Sequence, residues 1–278
     1  MKNVLAINDG SPEAANAIEL GLLLALKNQS GFLLATVNKG KKEIQKSEYA
    51  VASYGETAVF KENKSLKYLE PMHTLNSYTN YLSPETREID IQGFSQKDLQ
   101  EMILVNEIDL VVLGCTTLGQ TNFANSGPNI PACLKNITCP ILLVPVTFKP
   151  AAFKQIVYAT DLRFCQFHII DYLTTIAKPA DTNLMVAHIS LNELPDMKEN
   201  YASAFFTDEI RSRIRYEKLY FNHIKERNLA RAVDVMVEVM KTELLVLIKN
   251  GFHFKEIFGN GFSGNVLQIQ IPVLVFPY

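Results

Sequence analysis

The residues best suited to ligand chemistry lie between Gly114 and Pro131, where the sequence reads GCTTLGQTNFANSGPNIP after the apolar run IDLVVL. A buried strand that ends in a glycine-punctuated polar loop and then opens a helix is a common arrangement for binding phosphate. This loop has no lysine, arginine or histidine. An anion would depend on backbone amides and neutral side chains, so the loop indicates either a site for a ligand of low charge or a phosphate site that has been lost.

Two other strand ends carry residues that would meet this loop. Asp9 and Gly10 follow the apolar run VLAI, and Val37 follows LLAT. Parallel sheets bind ligands outside the carboxyl ends of their strands, where the strand order reverses, so we expect these residues to share an edge with Gly114. The Asp9 carboxylate would orient a ribose or a metal, or it would cap the helix that follows. The sequence leaves both roles open.

No catalytic residue and no metal site is predicted. The motifs GxSxG, HExxH and GxxxxGK[ST] do not occur in the sequence. An isolated carboxylate such as Asp9 does not form an acid–base pair. The four cysteines form no CxxC pair and the five histidines are scattered, whereas a zinc site uses about four ligands with paired spacing. We expect the cysteines to be small buried apolar residues.

The composition argues against nucleic acid and membranes as partners. The net charge is −2, from 27 basic and 29 acidic side chains, which gives no attraction to anionic surfaces. The apolar runs are well short of the roughly 20 residues of a membrane span, and the beginning MKNVLAINDGS does not resemble a secretory signal. We therefore expect a cytoplasmic protein.

The chain contains two copies of one unit. The 37 residues KNVLAINDGSPEAANAIELGLLLALKNQSGFLLATVN align without a gap with KQIVYATDLRFCQFHIIDYLTTIAKPADTNLMVAHIS, at an offset of 152 residues. The run IDLVVL corresponds to TELLVLI at an offset of about 134, and CPILLVPV corresponds to IPVLVFPY, so the second copy is shorter in its middle. Each copy has the pattern strand, turn, helix, strand, with a helix predicted from Pro12 to Lys27.

This alternation predicts the α/β class, with two tandem doubly wound parallel-sheet domains over residues 1–147 and 153–278. The short linker TFKPAA, which contains Pro150, separates them. Within the first copy, the weakly patterned residues 40–86 are predicted to be irregular. REIDI at 87–91 reads as a strand, and Ser95 is predicted to cap a helix that runs to Asn106.

The repeat, Asp9, the Gly114 loop and the CPILLVP ending together resemble the universal stress protein family, whose fold is similar to the adenine-nucleotide-binding domains of the HUP superfamily. ATP-binding members carry G-x2-G-x9-G-[ST] after the fourth strand. Gly114 and Gly127 keep the spacing of the outer glycines. Thr117 replaces the middle glycine, which Gly119 partly compensates, and Pro128 replaces the hydroxyl residue and removes an amide.

The resemblance implies an adenine-nucleotide site in the first copy, for ATP or AMP, modified toward weak or altered binding. Its implied residues are Asp9, Gly10, Val37, Gly114, Thr117, Gly119, Ser126, Gly127 and Asn129. In the second copy Ile248 stands where Gly114 stands in the first, and no site is predicted there. The function implied is a non-enzymatic stress-response regulator. The alternatives are a weak nucleotide hydrolase, or a binding or scaffold module for a less charged small ligand.

Family members of this kind dimerise through their last strands. With two copies in one chain, the resemblance implies that residues 140–146 and 272–277 pair antiparallel and form an intramolecular pseudo-dimer. Strands this apolar need a partner, because exposed apolar edges invite aggregation. Association into a homodimer remains open.

Overall fold

The computed structural model describes residues 1–38, 59–60, 85–92, 96–115, 130, 133–134, 138–190, 194–226, 228–249 and 269–277. The central feature of this part of the chain is a sheet of 11 strands. The strands are β1 (Asn3–Asn8), β2 (Gly31–Asn38), β3 (Val59–Phe60), β4 (Thr86–Gln92), β5 (Ile108–Cys115), β6 (Ile141–Pro145), β7 (Gln155–Thr160), β8 (Asn183–Ile189), β9 (Leu219–Ile224), β10 (Leu244–Ile248) and β11 (Val273–Phe276).

The strand order is β3-β4-β2-β1-β5-β6-β11-β10-β7-β8-β9. Strands β4-β2-β1-β5-β6 are parallel to one another, and β9-β8-β7-β10-β11 repeat the same order in the second half of the chain. The predicted α/β class with a parallel-dominated sheet is confirmed. In each half the strand order reverses beside the first strand, between β1 and β5 and between β7 and β10, which is where doubly wound sheets bind ligands.

Helices cover both faces of the sheet. They are α1 (Pro12–Asn28), α2 (Gln96–Val105), α3 (Phe167–Ala177), α4 (Glu199–Phe205) and α5 (Leu229–Asp234), and π-helical turns at Phe206–Arg211 and Val235–Val239 extend the last two. Apolar residues of α1, α3 and α4 share one core cluster, and those of α2 and α5 share the other. The two clusters are the two sides of one continuous sheet.

The two halves meet at β6 and β11, which pair antiparallel with Leu142 opposite Leu274 and Leu143 opposite Val273. All of these residues are buried. Because this pairing is antiparallel, the carboxyl ends of the parallel strands point to opposite edges of the sheet in the two halves. Tyr172 of α3 adds a second contact, since its hydroxyl donates to the Asp109 carbonyl of the first half at 3.0 Å.

The repeat extends to individual hydrogen bonds. Ser30 Oγ donates to the Met1 carbonyl at 2.8 Å, and Thr182 Oγ1, 152 residues later, donates to the Phe153 carbonyl at 2.6 Å. Residues with positive φ recur as well. Gln29, after α1, corresponds to Asp181 at the offset of 152 residues, and Glu107, before β5, corresponds to Lys241 at the offset of 134 residues. The same short connections therefore position the strands in both halves.

Candidate functional site

The first candidate site is the edge where β1 and β5 end, in the first half. Four of the predicted site residues lie in the described part of the chain: Asp9, Gly10, Val37 and Gly114. The other five lie outside the described residues: Thr117, Gly119, Ser126, Gly127 and Asn129. The Ser95 cap and the start of the helix expected near Gly127 also lie outside them, whereas Ile130, Cys133 and Leu134 are helical and buried. We refer to the ends of β1 and β5 and the turn into α1 as the first edge.

The turn from β1 into α1 satisfies its own backbone amides. The side chain of Asn8 accepts the Gly10 N–H at 3.0 Å, and that of Asp9 accepts the Ser11 N–H, also at 3.0 Å. Ser11 Oγ accepts the Ala14 N–H at 3.2 Å and so caps α1. Amides at the start of a helix are the usual donors to a phosphate, and in this turn three of them are already used.

Asp9 acts on the helix cap through Ser11. Its Oδ1 accepts from the Ser11 hydroxyl at 2.5 Å as well as from the Ser11 amide. The cap residue is therefore Ser11, and Asp9 orients it. Asp9 itself is half-buried, and the neighbouring Gly10 is exposed with φ +76°. Apart from its chain neighbours Asp9 and Ser11, no described atom lies within 4 Å of a Cβ placed on Gly10.

Gly114 is required by packing within the protein. A Cβ at this position would lie 2.3 Å from the carbonyl carbon and oxygen of Glu13 and 2.7 Å from the Ala14 amide nitrogen. The first turn of α1 therefore rests directly on the backbone of β5. The resemblance implied that Gly114 belongs to a nucleotide site; the structure shows that Gly114 allows a helix to approach, and its role toward a ligand stays a prediction.

Val37 belongs to the core. It is 8% exposed and lies in the cluster on the α2 side of the sheet, together with Ile91 and Ile130. The structure thus brings Asp9, Gly10 and Gly114 to one edge, and it places Val37 under that edge among apolar side chains.

The second edge, where β7 and β10 end, is closed by the protein's own side chains. Asp161 aligns with Asp9 at the 152-residue offset, and it is 3% exposed. Arg163 donates to its carboxylate from the backbone N–H, from Nε at 2.8 Å and from a terminal nitrogen at 2.5 Å. The Arg163 guanidinium also donates to the Pro195 carbonyl at 3.1 Å, so it spans the edge from β7 to the chain after β8.

The charge of Asp161 is neutralised within this contact. Burial alone would raise the pKa of Asp161, but the hydrogen bonds from the Arg163 side chain and backbone hold that pKa below its ordinary value. The carboxylate is therefore ionised and paired. At the first edge, Ser11 stands in the position of Arg163 and offers Asp9 a hydroxyl instead of a cation.

The two edges also differ at one strand position and in where the following helix begins. Ile248 aligns with Gly114 at the offset of 134 residues, and a helix turn cannot rest on an isoleucine as it rests on Gly114. Helix α1 begins at Pro12, but α3 begins at Phe167, the counterpart of residue 15. A short 3₁₀ turn, Leu162–Phe164, precedes α3 and is capped by Asp161.

His188 and Ser190 of the second edge resemble a catalytic pair but have the wrong protonation pattern. His188 is fully buried; its Nδ1 accepts the Leu162 N–H at 3.1 Å, and its Nε2 lies 3.3 Å from Ser190 Oγ. Because Nδ1 is an acceptor, the neutral ring carries its proton on Nε2. Burial lowers the pKa of His188 to about 4. The ring cannot take the Ser190 proton, so the pair does not generate a nucleophile.

A row of polar side chains crosses the second edge from β7 through β8 to β9. Thr160, His188 and His223 are in register on β7, β8 and β9, and the two imidazole rings lie 4.9 Å apart. His223 Nδ1 is buried and has no hydrogen-bond partner. The sequence analysis missed this layer, since each histidine stands alone in its strand, and it also missed the Ser11 cap, which the Ser-Pro pair before α1 could have indicated.

Two further properties concern the described residues. Among them, no group of three or more His, Cys, Asp or Glu side chains could hold a metal ion. No helix in the described segments has the length and apolar character needed to cross a membrane.

An open parallel sheet with a strand reversal, an acidic residue after the first strand and helices on both faces defines an α/β ligand-binding fold that is doubled within one chain. Residues 1–145 match the model of the universal stress protein family, and this is more than half of the 278 residues. The chain belongs to the universal stress protein family. No curated protein is a match for the sequence.

Solved structures share the architecture of the whole chain. A universal stress protein from Archaeoglobus fulgidus DSM 4304 has a TM-score of 0.57 at 12% identity, and the match covers 99% of this chain and 95% of that chain. A putative universal stress protein from Pseudomonas aeruginosa UCBPP-PA14 has a TM-score of 0.56 at 15% identity, covering 99% and 93%. At these identities the likeness shows the fold alone.

Proposed function

We propose that this protein is a non-catalytic regulator in a stress response that binds one small adenine-containing ligand, of lower charge than ATP, at the first edge. The observation that carries the proposal is the contrast between Asp9 and Asp161. The two carboxylates occupy equivalent positions, but Asp161 is buried and paired with the Arg163 cation, whereas Asp9 is half-buried and bonded to the neutral Ser11 hydroxyl.

The low charge of the ligand follows from the chemistry of the first edge. Asp9 is an anion, and hydrogen bonds within the β1–α1 turn use three amides that could otherwise contact phosphate. The loop from Gly114 to Gly127 contributes no cation. A carboxylate accepts hydrogen bonds from ribose hydroxyls or from an amino group, but it repels phosphate. Each added phosphate should therefore weaken binding.

Isothermal titration with adenosine, AMP and ATP tests the proposal. Adenosine should bind at least as tightly as AMP, and AMP more tightly than ATP. The reverse order would point to an undiscovered cationic phosphate site, and no heat with any of the three at millimolar concentration would remove the nucleoside role.

Two variants separate a direct Asp9 contact from its effect on the helix. Asp9→Ala removes the carboxylate, and Ser11→Ala removes the cap hydroxyl but keeps the carboxylate. If Asp9 contacts the ligand, Asp9→Ala should weaken adenosine binding on the order of tenfold, the value of one hydrogen bond to a charged group, and Ser11→Ala should weaken it much less. Equal losses in both variants would assign Asp9 a structural role.

Hydrolysis is the outcome that would change the class of the protein. Asp9 is hydrogen-bonded to Ser11, and we expect neither Asp9 nor the nearby Glu13 of α1 to activate a water molecule. Phosphate release from ATP should equal the rate without protein, and Asp9→Asn should leave it unchanged. Release that depends on Asp9 would replace the regulatory proposal with an enzymatic one.

We also propose that pairing of residues 140–146 with 272–277 takes the place of dimerisation between chains. The antiparallel register of β6 and β11 supports this, because both strands are buried within one chain. Light scattering should give the mass of a single chain, and a stable dimer would show that another surface is used.

A further inference from the structure

Helix α1 also makes hydrogen bonds outside the first edge, to the part of the chain that follows β6. The side-chain amide of Asn16 donates two hydrogen bonds, at 2.7 Å to the Val146 carbonyl and at 2.8 Å to the Phe148 carbonyl. Both acceptors belong to residues 146–154, which connect β6 to β7 and so join the two halves; we call them the connecting segment. An amide nitrogen has two hydrogens, and Asn16 uses both of them here.

The connecting segment is also bonded to the end of β5. The Val146 N–H donates to the Cys115 carbonyl at 2.9 Å, one residue beyond Gly114, on which the first turn of α1 rests. The beginning of the segment, the end of β5 and the first two turns of α1 are therefore joined by hydrogen bonds and by backbone packing. The first edge is part of this unit.

The far side of the connecting segment is anchored in the second half. The ring of Phe148 lies 6.2 Å from that of Phe153, centroid to centroid, and Phe153 is 3% exposed in the core shared with α3. The Phe153 carbonyl accepts from Thr182 Oγ1 at 2.6 Å. A displacement of the segment at Phe148 would therefore reach a buried residue of the second half.

We propose that α1, acting through Asn16, couples the first edge to the connecting segment and thereby to the second half. The coupling rests on the proposed function, because it needs a ligand at Asp9. A ligand bound at Asp9 would rest against the turn that carries Ser11 and would stabilise the start of α1, and Asn16 lies on the next turn of the same helix. Coupling between two places is reciprocal, so release of the segment should also change ligand affinity.

The second half carries a different residue at the position of Asn16. The residue that aligns with Asn16 at the 152-residue offset is His168, which is exposed on α3. Asn16 is a positioning residue in this scheme and does not itself contact the ligand.

The first test uses the protein without ligand. Amide hydrogen exchange of the connecting segment is compared in the wild type, in Asn16→Ala and in a matched control, Asn28→Ala, whose side chain bonds only to Leu24 within α1. Loss of two hydrogen bonds should speed exchange at Val146 and Phe148 on the order of tenfold or more in Asn16→Ala, with little change in Asn28→Ala. Unchanged exchange in Asn16→Ala would overturn the role of Asn16.

The second test adds saturating adenosine. Exchange of the connecting segment should slow in the wild type and in Asn28→Ala but not in Asn16→Ala, and Asn16→Ala should bind adenosine several-fold more weakly. Adenosine binding without any change in the segment would overturn the coupling and leave the proposed function intact. No binding in a parallel titration would overturn the proposed function, and the coupling with it, while the first test still decides whether Asn16 holds the segment.

Discussion

Gly114 of β5 lies directly beneath Glu13 of α1, so close that a Cβ on the glycine would be 2.3 Å from the Glu13 carbonyl oxygen. This contact lets α1 start at Pro12, immediately after the β1 turn. Where Ile248 replaces the glycine, α3 starts later and a short turn with a buried arginine contact fills the edge. Position 114 on β5 and its counterpart 248 on β10 therefore differ in the helix start that each allows.

Gly114→Ala should be strongly destabilising. The added methyl group would meet helix backbone, which cannot rotate away, so we expect a loss of about 3 kcal/mol or more in the free energy of unfolding. Gly10→Ala is the control: it has space but a φ of +76°, so it should cost about 1–2 kcal/mol. Urea denaturation measures both, and a smaller loss for Gly114→Ala than for Gly10→Ala would contradict the packing.

His188 should make stability depend on pH. Its pKa is about 4 in the folded protein, against 6.5 as the ordinary value, so between these values the unfolded chain binds more protons. The stabilisation is therefore complete above pH 6.5 and is lost as the pH falls toward 4. The difference corresponds to at most about 3 kcal/mol.

The comparison of His188→Thr with the wild type isolates this effect, since threonine is the residue at the aligned position 36. The free energy of unfolding of the variant should fall less between pH 7 and pH 4.5. Equal slopes in His188→Thr and the wild type would show that His188 does not titrate in this way.

The Asp161–Arg163 contact should contribute more than a surface ion pair. Arg163→Gln leaves a buried carboxylate without its cation, and because the Arg163 side chain is 28% exposed, we expect a loss of about 2 kcal/mol, less than for a fully buried pair. Lys2→Gln breaks a pair with Glu107 in which both side chains are about two-thirds exposed, so it should cost under about 0.5 kcal/mol. Similar losses in the two variants would indicate that solvent screens Asp161 as well.

The cysteines should be unreactive in the folded protein. Burial raises the pKa of the Cys115, Cys133, Cys139 and Cys165 thiols to about 12, so thiolate is scarce at pH 8. A colorimetric thiol reagent should react slowly with native protein and fully after denaturation. Rapid reaction of one thiol in the native protein would identify a segment that opens.

The sequence predicted the repeat and the α/β class well, because buried parallel strands such as VLAI and IVYA are continuous apolar runs and recur at a fixed offset. The α1 prediction, Pro12 to Lys27, is one residue shorter than the observed helix, and REIDI lies inside β4. These elements follow from local composition, and tertiary contacts did not override it.

The site was less predictable, because the roles of its residues depend on contacts between distant segments. Gly114 is a glycine because of Glu13, and Asn16 bonds to carbonyls 130 and 132 residues away. The nearness of Arg163 to Asp161 is visible in the sequence, but the burial of the carboxylate is not. The type of a residue determines which interactions it can make, but only the fold determines which neighbouring residue it contacts.

Native mass spectrometry of the intact chain with millimolar adenosine tests the central claim most directly, because it counts ligands per molecule. The account predicts one adenosine per chain in the wild type, one in Arg163→Gln, and in Asp9→Ala an occupancy lowered by the loss of affinity on the order of tenfold. Two per chain in the wild type, or an occupancy that survives Asp9→Ala and disappears in Arg163→Gln, would contradict the assignment of the ligand to the first edge.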